Sequence, residues 1–216
     1  MTNLKAEQPK RRPDAETLQE SPDYQKLLEL EFSEMIPFVL TNIRKPGIIP
    51  LFYMFINVAF LFFILVYSIW SIQSGPLSLG RIILQIITGI IAGSILVIPP
   101  HELLHGLAYR ILGAKKIRFG MDLQQFVFYV TADRFPITRR ELAFLALTPF
   151  LIINLTLIAV TVFWAPEQTL FFSVLLLSHN IMCIGDFAMI SYAYSQSGAL
   201  YTFDDIEKKI SYFFGR

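Results

Sequence analysis

The sequence predicts an all-α polytopic membrane protein, with four transmembrane helices and a short β-hairpin in a cytoplasmic central loop. Three observations predict it. The mean hydropathy is +0.53 and only 16% of residues are charged, too apolar a balance for an ordinary soluble domain. Four apolar runs reach the roughly 20 residues that a helix needs to cross a bilayer. The 18 Lys and Arg residues are segregated with respect to those runs, although the net charge of +1 shows nothing of this. The single cysteine, Cys183, excludes an internal disulfide. Basic residues do not alternate with aromatics in any pattern suited to nucleic acid, so a nucleic-acid partner is not expected.

In chain order, residues 1–22 are charged and proline-containing, and a disordered cytoplasmic tail is expected there; no secretory signal precedes the first apolar run. Residues 23–47 read as an interfacial helix and linker, since Leu27, Leu28, Leu30 and Met35 recur at helical spacing. Residues 48–194 form the four-span domain. Its first span runs from about Ile48 to Trp70, and its second from Ile82 toward Arg110 or Gly113. At helical rise the second is roughly 45 Å long, more than a ~30 Å hydrocarbon core, and Pro99 and Pro100 predict a kink or restart within it. The third span covers Leu142 to Ala165 and the fourth Thr169 to Tyr194. Between the second and third, Ile117, Phe119, Met121 and Leu123 alternate with other residues, and then Phe126, Phe128 and Val130 do so, which predicts a two-stranded hairpin. Residues 195–216 are a cytoplasmic tail with a short helix expected over Asp204 to Phe214.

Basic residues predict the orientation. Seven precede the first span, seven lie from Arg110 to Arg140, three follow the fourth span, and only Arg81 falls on the opposite side. Both termini and the central loop are therefore expected in the cytoplasm.

The chemistry is carried by His101-Glu102-Leu103-Leu104-His105 inside the second span. On a helix, positions i and i+4 share a face, so both imidazoles can reach one metal ion. Glu102 lies beside them, placed to act as general base on an attacking water. Ionisable residues are costly within a membrane and mark functional sites there. A buried His-Glu-His cluster that merely holds helices together is the bland alternative. It leaves Glu102 without a cationic neighbour in the sequence.

A catalytic zinc takes three protein ligands and keeps one position for water. The fourth span offers His179, Cys183 and Asp186. Asp186 lies about 12 Å of helical rise from the polar Ser195-Gln196-Ser197 exit, a depth like that of the His101/His105 motif. His179 is deeper and also reads as a neighbour that supports a ligand; Cys183 reads as a small buried hydrophobe. Asn154 in the third span reads as a helix-packing hydrogen bonder.

These residues resemble the site-2 protease type of intramembrane metalloprotease. The His101-Glu102-x-x-His105 motif, Pro149 and Asn154 in the next span, and Gly185-Asp186 in the last carry the likeness. From about Pro99 to Tyr194, including the Gly113-Ala114-Lys115-Lys116 turn, the chain is similar to a small bacterial family of four-span zincin peptidases. The resemblance implies Zn²⁺ bound by His101, His105 and Asp186, Glu102 as base, Asn154 as a substrate-positioning group, and a bacterial plasma-membrane location. The chain departs from the site-2 pattern around Asn180, where Met182 and Cys183 replace a proline region, and Phe187 follows the aspartate.

The function expected is hydrolysis of peptide bonds in membrane-embedded or membrane-proximal segments, with the bilayer and a membrane-protein or peptide substrate as partners. An unwound substrate segment could add as a strand to the edge of the loop hairpin. The competing class is a non-enzymatic membrane protein, such as a metal carrier, channel component or adaptor, that keeps a zincin-like site.

Overall fold

A computed structural model describes residues 12–75, 77–122 and 127–216. The chain opens with α1 (Ala15–Glu20), whose N-cap Asp14 accepts a hydrogen bond from the Thr17 backbone N–H at 2.8 Å. Its Ala15 and Leu18 are buried against Phe203, Tyr212 and Phe214. Arg134 donates to Glu16 at 2.6 Å, and Arg12 donates to Glu141. The stretch from residue 12 to 22 is thus docked on the fold, contrary to the disordered tail expected there; the rest of that tail lies outside the described residues.

Next comes β1 (Gln25–Glu31), where an interfacial helix was expected. Its leucines satisfy a helical pattern, but pairing with a distant strand decides the conformation. A bulge between Lys26 and Leu28 lets the adjacent Leu27 and Leu28 both serve the strand. The helix arrives later. A 3₁₀ turn at Phe32–Glu34 leads into α2 (Met35–Ile43), which packs against the last helix of the chain.

The first long helix, α3 (Ile48–Ser74), ends at Gly75 with φ 82°, a left-handed C-terminal cap that glycine adopts without strain. The next is interrupted: α4 (Leu79–Ile91) widens to a π-helical turn at Ala92–Leu96 and restarts as α5 (Ile98–Ile111). Pro99 and Pro100 lack the N–H that would bond residues 95 and 96, so the restart that the prolines predicted is present, with proline in its first turn. Gly89 and Gly93 lie against the helix carrying His179. A Cβ at Gly93 would sit 2.6 Å from the Leu175 carbonyl oxygen, so only glycine permits this approach.

The hairpin is β2 (Ile117–Asp122) and β3 (Val127–Ala132), antiparallel with Ile117 opposite Ala132; Leu123 and Phe126 lie outside the described residues. A two-residue β4 (Ile137–Thr138) runs into α6 (Arg139–Phe163), started by a reciprocal capping box between Thr138 and Glu141 and containing Pro149. The last apolar run is two helices, α7 (Thr169–Met182) and α8 (Ile184–Ser195), bent by 44° at Cys183. Three helical stretches, Ile48–Ser74, Leu79–Ile111 and Arg139–Phe163, are long and apolar enough to cross a membrane; the bent pair makes four if it counts as one span.

The chain closes with β5 (Leu200–Asp205) and β6 (Ile210–Gly215) instead of a short helix. They complete a second, antiparallel sheet in the order β1-β6-β5-β4. The all-α expectation is therefore corrected to a mostly helical bundle with two small antiparallel sheets. The C-terminal hairpin escaped notice because residues 211–215 are all buried, so the run shows no apolar–polar alternation.

Candidate metal centre

The α5 register places His101 and His105 one turn apart, both buried, with their Nε2 atoms 3.1 Å apart. The α8 segment brings Asp186 to them from the opposite side. Its Oδ2 lies 3.4 Å from His101 Nε2 and its Oδ1 3.3 Å from His105 Nε2. Around a tetrahedral zinc with bonds of ~2.0–2.1 Å, neighbouring ligand atoms stand roughly 3.3–3.4 Å apart. The two Nε2 atoms, and each Nε2 with the Asp186 oxygen that faces it, are spaced about as ligands of one such ion, and the donor set of two imidazoles and a carboxylate suits zinc. The residues present fit the metal.

Backbone chemistry orients His105. Its Nδ1 lies 3.1 Å from the Leu145 carbonyl oxygen, which can only accept, so Nδ1 carries the proton and Nε2 is free as a ligand atom. That carbonyl is open to the ring because its helical partner four residues on is Pro149, which has no N–H. Helix α6 thus offers an acceptor to its neighbour without breaking its own chain of bonds elsewhere.

On the other ring nitrogen of His101, Nδ1 stands 3.2 Å from His179 Nε2, which in turn lies 3.6 Å from Cys183 Sγ. His101, His179 and Cys183 form a second convergent donor set that shares His101 with the first. Both His179 and Cys183 are fully buried, and neither is in the wall of the cavity that the first set adjoins. With His101 Nε2 turned to the first set, its Nδ1–H donates to His179.

The first set opens into a cavity of about 440 Å³ between the bundle and the sheets, with Glu102 in its wall beside His101, His105 and Asp186. Residues from α2, β3 and α6, such as Val39, Val130 and Leu142, make its other sides largely apolar. Asn154 is elsewhere. Its Nδ2 donates to the Phe150 carbonyl at 2.7 Å and to Asn180 Oδ1 at 2.8 Å, tying α6 to α7, and it is not in the cavity wall.

Residues 94–200 match the sequence model of a family described as putative zincin peptidase. The matched segment is similar to that family. It spans α5 to α8 with the hairpin between them, and therefore every residue of the two donor sets and Glu102. The family description supports a metallopeptidase with zinc as its metal. No curated protein and no solved structure matches the chain.

The sequence reading named all three members of the first set and missed the Leu145 carbonyl. A proline in an apolar helix signals a freed carbonyl four residues earlier, but only the packing of α5 on α6 shows which group takes it.

Proposed function

We propose that this protein is a four-span intramembrane zinc metallopeptidase. It would hydrolyse membrane-embedded or membrane-proximal segments at a site near the cytoplasmic face. The observation that supports the reading most directly is the convergence of His101, His105 and Asp186 at metal-ligand spacing inside apolar helices, beside a cavity with Glu102 in its wall.

In this mechanism His101, His105 and Asp186 would hold the zinc. A zinc ion held there would supply Lewis acidity toward the scissile carbonyl and the attacking water. Glu102 accepts the proton of that water as its oxygen bonds the carbonyl carbon, then delivers the proton to the departing amine nitrogen as the C–N bond breaks. His179 keeps the His101 ring oriented through Nδ1, and Leu145 does the same for His105. A membrane helix hides its peptide bonds, so the substrate must unwind locally. Strand β3, which lines the cavity from Phe128 to Thr131, offers its edge to the unwound segment. The positive-inside distribution of Lys and Arg supports a cytoplasmic location for both termini and the β-sheets.

A second reading, a metal carrier, is favoured by the second donor set on His101, His179 and Cys183. One experiment separates the two. Full-length protein purified in detergent is analysed for zinc and incubated with single-span substrates, with Glu102→Gln in parallel. The hydrolase reading expects about one zinc per chain and cleavage that disappears in the variant; zinc with no cleavage by either protein favours the carrier.

A further inference from the structure

The cavity has a second polar end. Besides the donor set, its wall includes Tyr109, Thr202, Asp204 and Ser211. Asp204 is half-buried, and Ser211 Oγ donates to its Oδ1 at 2.5 Å. Among the described residues no cation pairs with it: the nearby Arg134 bonds Glu16 and Asp205, and Lys208 pairs with Asp205. Burial holds the Asp204 carboxyl up at about 6, the behaviour of an acid short of countercharge.

Its position relative to the metal end follows from α5. His101, His105 and Tyr109 succeed one another at i, i+4 and i+8, each step about 6 Å of helical rise. Asp204 is close enough to the Tyr109 phenol to act on it electrostatically. Tyr109 and Asp204 line the same cavity as the donor set, which places the acid toward the Tyr109 end, beyond His105 in the direction of Arg110. An extended peptide rises about 3.3 Å per residue and repeats a face every second residue. With its scissile carbonyl at the metal end, such a peptide presents the side chain two residues away to Asp204.

We propose that Asp204 is a specificity-determining residue that binds a Lys or Arg two residues from the scissile bond, which makes the basic juxtamembrane flank of a membrane span the substrate class. The inference rests on the hydrolase reading. Membrane helices carry an excess of Lys and Arg at their cytoplasmic ends, the side on which that reading places this cavity. A Lys or Arg side chain also suits the cavity in shape, with an apolar stem along Leu142 and Met189 and a charged head at the carboxylate.

The test uses full-length, zinc-loaded protein in detergent carrying Glu102→Gln, so that bound peptide persists. Three synthetic juxtamembrane peptides differ at one position, which holds Lys, norleucine or Glu, and binding is read by fluorescence anisotropy. Lys is expected to bind at least about tenfold more tightly than norleucine, as for a hydrogen bond to a charged group, with Glu weakest. Adding Asp204→Asn should bring the Lys-to-norleucine ratio close to unity with zinc content retained. Equal affinity for all three peptides, or a ratio that Asp204→Asn leaves unchanged, overturns the proposal. The peptide series without the second variant decides the matter even if Asp204→Asn misfolds. A Lys preference in protein whose wild-type form cleaves nothing would leave this subsite standing and defeat the hydrolase reading instead.

Discussion

His105 donates from Nδ1 to the carbonyl of Leu145, 3.1 Å away on the neighbouring helix. The bond exists because Pro149 cannot claim that carbonyl for α6. Pro149→Ala restores an N–H at the position that would bond Leu145 within the helix, so the carbonyl acquires a competitor for His105. The helix itself should be no less stable. Zinc affinity is expected to weaken by about 10–100-fold, as when a ligand histidine loses its supporting partner. Competition with a zinc chelator measures it; unchanged affinity would show that the carbonyl serves both donors.

Asp186 variants should empty the metal site. Asp186→Ala removes one corner of the donor triangle, and Asp186→Asn keeps its volume but removes the anionic charge opposite Zn²⁺. His179→Ala should do less, since that ring touches His101 only through Nδ1. Zinc stoichiometry at equal purity is the readout. Full occupancy in Asp186→Ala beside an empty His179→Ala protein would move the metal to the second donor set.

Glu102→Gln keeps shape and hydrogen bonding while removing the base. Cleavage is expected to fall by about 10²–10⁴-fold with zinc still bound. A variant that cleaves at the wild-type rate would exclude Glu102 as the proton carrier.

Asp204 gives the stability a defined pH dependence. Its folded carboxyl is held up at about 6, above the ordinary 3.8, because burial disfavours the charged form. Between those values the folded chain binds a proton that the unfolded chain has released. Stability from this group is therefore complete below the ordinary value and is lost as pH rises through about 6. The groups facing the acid are the Ser211 hydroxyl and the Tyr109 phenol, neither of which ionises in that range. Melting curves in detergent from pH 4 to 8 (a range chosen to bracket about 6) should show this loss in wild type and a flatter profile in Asp204→Asn.

Topology has its own test. In a Cys183→Ala background, a cysteine introduced at Gln8 should resist impermeant thiol reagents added outside intact cells. Efficient labelling from outside would reverse the orientation inferred from the basic residues.

What the sequence determined by itself were quantities carried along one dimension. Apolar run length located the three long helical stretches and the bent pair, because a bilayer crossing sets a minimum number of residues. Helical periodicity put His101 and His105 on one face, and counting residues from the polar exit matched Asp186 to their depth. Prolines 99 and 100 announced the restart of α5, since a missing N–H is a local defect. Tertiary structure decided everything that needs a partner distant in sequence. The four-stranded sheet draws on residues 25–31, 137–138, 200–205 and 210–215, and burial on both faces removed the alternation that would have revealed its last strand. Which nitrogen of His101 meets Asp186 and which meets His179, and which helix supplies the carbonyl for His105, depend on ring orientation and helix packing. Spacing along the chain carries no record of either, because both arise only when separate helices are pressed together.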